Sequence, residues 1–123
     1  MEKTSLMADK YRVAVASTDG ETVNIHYGKS QIFYIYLIDD DEGYDLLEKR
    51  TVNPVCQDGL HNKAEMESHV QQFADCKYVV ASRIGDGAIQ SLTAAGITAM
   101  VLPGSIDEAI LKVWKYNRIQ GLF

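Results

Sequence analysis

A chain of 123 residues with 46% hydrophobic and 24% charged residues has the length and balance of one globular domain with its own core, and no room for a second. Its formal net charge of −5, with no basic cluster, gives no attraction to nucleic acid or to an anionic membrane surface. No apolar run approaches the ~18 residues that span a bilayer, and the opening MEKTSLMADK lacks the features of a signal peptide, so the expected setting is the cytoplasm. Cys56 and Cys76 are the only two thiols and form no C-x-x-C pair, which argues against a disulfide scaffold or a zinc ribbon and for reduced thiols.

Residues 1–10 are polar and without a period, and read as a loose extension before a domain spanning 11–123. Tyr11 to Ala16 is a short run of β-branched and small residues, the mark of a strand covered on both faces. Thr18-Asp19-Gly20 ends it in a turn, and Val23 to Gly28 then puts the imidazole of His26, a phenol and a glycine in three consecutive positions. Gln31 to Asp39 and Tyr44 to Val52 read as two strands of a hairpin tipped by Asp39-Asp40-Asp41-Glu42-Gly43. Those four carboxylates lack the alternating spacing and distant Glu of a calcium loop and read as a solvated turn.

A second loop, Asn53 to His61, carries Cys56 and His61. From Asn62 to Ala74, Met66, Val70 and Phe73 recur at helical spacing, with His69 beside that stripe as partly exposed helix surface. Tyr78 to Ser82 is a fourth strand, followed by Arg83-Ile84-Gly85-Asp86-Gly87 and a helix burying Ala88, Leu92 and Ala95. Gly96 suits a helix-ending position, Ile97 to Leu102 is a fifth strand, and Ser105 to Glu108 is a capping box. The last helix buries Ile106, Ile110, Val113 and Trp114. An early hairpin followed by crossovers through helices predicts a mixed five-stranded sheet carrying about three helices, an α/β domain.

The chemistry is confined to loops. Gly85-x-Gly87 has part of a dinucleotide fingerprint, but Gln90 stands at the last glycine position. What remains is either a modest anion site at a helix start or a pair of glycines required by a tight turn, and Arg83 would serve an anion or a surface carboxylate. Nucleophilic catalysis has no motif to support it. The sheet also suits ribonuclease-H-like nucleases, but these need carboxylates on the central strand, and Tyr11 to Ser17 has none. His26, Cys56 and His61 are side chains able to ligate a borderline metal, without the close spacing of a closed zinc site.

Four stretches taken together resemble the dinitrogenase iron–molybdenum cofactor biosynthesis family, the group of the NifX proteins and the NifB C-terminal domain. They are Ser17-x-Asp19-Gly20-x-x-Val23-Asn24-x-His26-Tyr27-Gly28-Lys29, Cys56-x-x-Gly59-x-His61, Asp75-Cys76, and Ser82-Arg83-Ile84-Gly85-x-Gly87-Ala88. The resemblance implies a single three-layer ribonuclease-H-like domain without nuclease activity, not an enzyme. It would bind an iron–sulfur-based cluster transiently, the iron–molybdenum cofactor or a precursor, and exchange it with cofactor-assembly proteins. His26 matches the family histidine implicated in cluster binding, and Cys56 and His61 match a more variable loop. On this basis the cofactor-binding residues are His26, Cys56, His61, Arg83 and Gly85, with His26 and Cys56 as metal ligands. A regulatory or docking module that binds a partner protein or small anion, without metal, is the alternative.

Overall fold

The computed structural model describes residues 10–39, 43–53 and 63–121. Of the expected extension 1–10, Lys10 is described and opens the first strand of the sheet, paired with Asp39, instead of lying loose; residues 1–9, the Asp40 to Glu42 part of the expected hairpin tip, and the loop bearing Cys56 and His61 lie outside the described residues.

The central strand β1 (Lys10–Ala16) pairs antiparallel with β3 (Ile32–Asp39), which pairs antiparallel with β4 (Gly43–Thr51). On its other side β1 runs parallel to β5 (Tyr78–Ala81), which runs parallel to β6 (Thr98–Val101). The order β4-β3-β1-β5-β6 is the expected mixed five-stranded sheet. Helices α1 (Lys63–Gln71), α2 (Asp86–Ala94) and α3 (Ile106–Gly121) complete the α/β domain.

Alternation along β1 sorts its side chains onto two faces. Ala14 and Ala16 join Phe33, Ile35, Val79 and Ala81 beneath Val70 and Phe73 at α1 and Ala88 and Leu92 of α2. Tyr11, Val13 and Val15 join Tyr36, Ile38, Tyr78 and Val80 beneath Ile106, Ala109, Ile110 and Val113 of α3. The sheet is thus the middle of three layers, and both faces of β1 are dry from Val13 to Ala16, which explains the run of small and β-branched apolar residues there, while Lys10 and Arg12 are exposed.

Several local signals took the expected form. Gly96 ends α2 with φ of 82°, a backbone that favours glycine. The Glu108 N–H donates to Ser105 Oγ at 3.1 Å, the first half of the capping box. Ala95, by contrast, is exposed, because the helix ends one residue before it.

Two features have no counterpart in the sequence reading. A second sheet pairs β2 (Thr22–Val23) with β7 (Gly104–Ser105), and the Ile106 N–H donates to the Glu21 carbonyl at 2.9 Å, so the first loop is fastened to the start of α3. Strand β4 is the exposed edge of the main sheet, and its register with β3 shifts between Ile35 and Tyr36. A bulge on an edge strand twists it away from further pairing. The edge is anchored at both ends, by Tyr44 donating to Asp107 of α3 and by Arg50, which binds Asp75 through two bonds of 2.8 and 2.9 Å and the Gln72 carbonyl at 2.8 Å.

Phe73 is fully buried and touches both Tyr27 and Phe33 with its ring. Phe73→Ala should therefore lower unfolding free energy by about 3–5 kcal/mol in a chemical denaturation series, whereas Leu111→Ala on the exposed side of α3 should change it by less than about 0.5 kcal/mol.

Candidate functional site

The site is built where β5 ends. Beyond Ala81, the Ser82 N–H donates to the Ile25 carbonyl at 3.1 Å and the Tyr27 N–H donates to the Arg83 carbonyl at 2.9 Å. These two bonds make an isolated parallel bridge that sets His26 beside Arg83. Both residues are exposed, and both follow the carboxyl end of a sheet strand, where open α/β sheets take ligands. His26 opens a single 3-10 turn (Tyr27–Lys29), and its carbonyl accepts the N–H groups of Lys29 and Ser30 at 3.1 Å each. Lys29 adds an exposed cation close to His26 in the chain.

Three glycines flank this pair. Gly28 lies two residues beyond His26, and Gly85 and Gly87 lie two and four beyond Arg83. None of the three has a positive φ, and a Cβ added to any of them would meet nothing within 4 Å. The tight-turn explanation for Gly85 and Gly87 therefore fails, since Gly85 caps α2 at φ −69° and ψ 158°, which any residue adopts. Asp86 follows in the first turn of α2, so the start of this helix is not a bare positive end.

Among the described residues, no three His, Cys, Asp or Glu side chains converge as a metal site. The structure brings His26, Arg83 and Gly85 to one end of the sheet. Cys56 and His61 belong to the loop between β4 and α1, outside the described residues.

A family model described as dinitrogenase iron-molybdenum cofactor matches residues 9–116. The chain belongs to the dinitrogenase iron–molybdenum cofactor family. It is 30% identical over 117 residues to the FeMo cofactor biosynthesis protein NifB of Chlorobaculum tepidum, with 93% of this chain and 27% of that protein aligned. It is 33% identical over 118 residues to NifB of Klebsiella pneumoniae, with 89% of this chain and 25% of that protein aligned. The chain thus spans about a quarter of the length of these curated relatives. Its fold is similar to the crystal structure of PH0822, with a TM-score of 0.57 at 22% identity over 85% of this chain and 90% of the other. The apo orange protein of Desulfovibrio gigas is similar in fold as well, with a TM-score of 0.56 at 17% identity over 89% and 91% of the two chains.

Two of the stretches on which the resemblance to the family rests have structural work in this chain. Asp19 accepts the N–H groups of Glu21 and Thr22, both at 2.9 Å, and the Thr22 hydroxyl, while Ser17 Oγ accepts the Gly20 N–H at 2.9 Å. Those backbone donors hold the Asp19 carboxyl at about 2, and the group staples the loop that leads to His26. Asp75 is likewise held at about 2, chiefly by Arg50. Cys76 packs in the core, and burial pushes its thiol up to about 12, so it stays a neutral thiol in the ligand-free chain.

His69 corrects the sequence reading. It is 5% exposed rather than helix surface, and its Nδ1 lies 2.8 Å from the Tyr27 hydroxyl, inside the aromatic cluster of Phe33 and Phe73. Burial lowers its pKa from 6.5 to about 4. Across that window the unfolded chain binds more protons than the folded one, so stability rises with pH and is lost as pH falls from about 6.5 to about 4. Asp19 and Asp75 act in a separate window, losing their contribution as pH falls from 3.8 towards 2. In denaturation midpoints measured from pH 7 to pH 4, wild type should lose on the order of 2–3 kcal/mol through His69, and His69→Leu should lose far less.

Proposed function

We propose that this domain is a non-catalytic carrier for an iron–sulfur-based cluster, the iron–molybdenum cofactor or a precursor, held as transient cargo during cofactor assembly. His26 is the protein ligand at the bridge, and Cys56 is the second ligand, delivered by the loop before α1. His61, Arg83 and Gly85 complete the contact surface, with Arg83 and Lys29 facing the negative charge of a sulfide cluster. Assembly proteins that donate and accept the cluster are its partners, in the cytoplasm. The sheet order and the antiparallel position of β3 support a ribonuclease-H-like assignment, put to binding rather than nuclease chemistry.

One observation carries this reading. Gly28, Gly85 and Gly87 flank the exposed His26–Arg83 bridge although neither backbone conformation nor packing requires a glycine at any of them. A bare backbone around one imidazole and one guanidinium suits the close approach of a bulky, rigid anion. A carrier must also release its cargo, which favours one or two ligands over a closed cage. Family membership and the NifB relatives supply the class of cargo.

Anaerobic titration with isolated iron–molybdenum cofactor, read by visible absorption, tests the proposal. His26→Ala should leave the far-UV circular dichroism unchanged and weaken binding by roughly tenfold or more. Gly87→Ala, in the first turn of α2, should leave unfolding free energy unchanged or raise it by up to about 0.5 kcal/mol, and yet weaken cofactor binding. Unchanged affinity in His26→Ala, or a wild-type chain that stays colourless when offered cofactor, contradicts the carrier role and favours a docking module without metal.

A further inference from the structure

Tyr27 occupies two positions in the structure at once. Its backbone N–H completes the bridge to Arg83, directly beside His26, while its side chain turns inward and ends on His69 of α1, 42 residues further on. Its ring is 1% exposed and meets His69, Phe33 and Phe73 at centroid distances of 5.0, 5.8 and 6.0 Å. A phenol and an imidazole in such surroundings are out of place on packing grounds, because two apolar side chains of the same size would fill the space without burying polar atoms. A hydrogen bond does what apolar contact does not: it fixes direction.

The polarity of that bond follows from its burial. Desolvation pushes the Tyr27 phenol up and the His69 imidazolium down, so both groups are neutral at pH 7. The phenol donates to Nδ1, which leaves the imidazole proton on Nε2. The Asn53 carbonyl faces the ring and favours its charged form, although among the described residues nothing meets Nε2 in full hydrogen-bonding geometry. His69 therefore accepts from Tyr27 on one side and turns towards the end of β4 on the other.

We propose that His69 is a positioning residue for the candidate cluster site, acting through the Tyr27 hydroxyl to hold the His26 turn at a fixed angle to Arg83. The inference rests on the carrier reading for its consequence, but the bond and the turn it orders are properties of the empty chain. Without it, the two backbone bonds and the ring contacts of Tyr27 with Phe33 and Phe73 still hold the turn in place, but no directional bond fixes its angle, and the segment from Tyr27 to Lys29 has more freedom to rock. The effect on ligand binding is then one of preorganisation, with no contact between His69 and cargo.

The test compares wild type, Tyr27→Phe, the double variant Tyr27→Phe/His69→Leu, and His26→Ala. Tyr27→Phe removes a single oxygen, and the double variant removes both polar groups so that neither is left unpaired. Amide hydrogen exchange of the ligand-free chains, read by NMR, should show protection at the Tyr27, Lys29 and Ser30 amides falling by roughly tenfold, with protection in β1 and β5 unchanged. Affinity for isolated iron–molybdenum cofactor should fall by roughly three- to tenfold in both variants. A purely structural role would instead lower protection throughout the core and leave the turn no looser than the rest. Unchanged exchange at those three amides overturns the inference. So does a loosened turn with wild-type affinity while His26→Ala binds weakly, a result that spares the carrier reading. A wild-type chain that binds no cofactor overturns the carrier reading and this inference with it.

Discussion

Two backbone hydrogen bonds, Ser82 to Ile25 and Tyr27 to Arg83, decide where everything of chemical interest in this chain lies. They join the loop after β1 to the segment after β5, although the two strands are some sixty residues apart in sequence, and they do so in the parallel sense already set by β1 and β5. The bridge in effect continues the sheet by one rung after the strands have ended. Side chains on that rung leave the core and face solvent, which is why His26 and Arg83 are exposed while Tyr27 beside them is buried.

That rung is possible because of the sheet below it. β1 is buried on both faces, with small Ala14 and Ala16 under the two shorter helices and larger Val13 and Val15 under the long one. The small pair allows Phe33, Phe73 and Tyr27 to crowd the space above it, and the loops on that side are held by packing as well as by hydrogen bonds. The Asp19 staple and the small sheet of β2 and β7 fasten the same loop from the α3 side. The two described loops that carry His26 and Arg83 are held here because they bond to each other and to the core or a neighbouring element.

Elements with a clear period were legible in the sequence. β1 through its apolar run, the hairpin through its aromatic and β-branched residues, and the final helix through Ile106, Ile110 and Val113 all stand where the pattern put them. β2 and β7 were not, since a strand of two residues has no period to show. His69 was misread because α1 is nearly all polar, and the phenol that explains the burial of His69 is supplied by a loop far away in sequence. The glycines show a different limit: composition shows that they are present, but only the backbone angles separate Gly20 and Gly96, which need their conformation, from Gly28, Gly85 and Gly87, which do not. The resemblance located His26 and Arg83 in one family motif set, while their adjacency emerged only from the pairing of two loops.

The central claim is that an exposed imidazole on this rung is the handle by which the domain holds its cargo. Pulsed EPR on chain labelled with 15N-histidine and loaded with isolated iron–molybdenum cofactor tests it most directly, because hyperfine coupling between the cluster spin and an imidazole nitrogen requires a bond or near-contact. The coupling should be present in wild type and absent in His26→Ala. A coupling that persists in His26→Ala, or is missing from a wild-type sample in which cofactor is bound, would contradict the account.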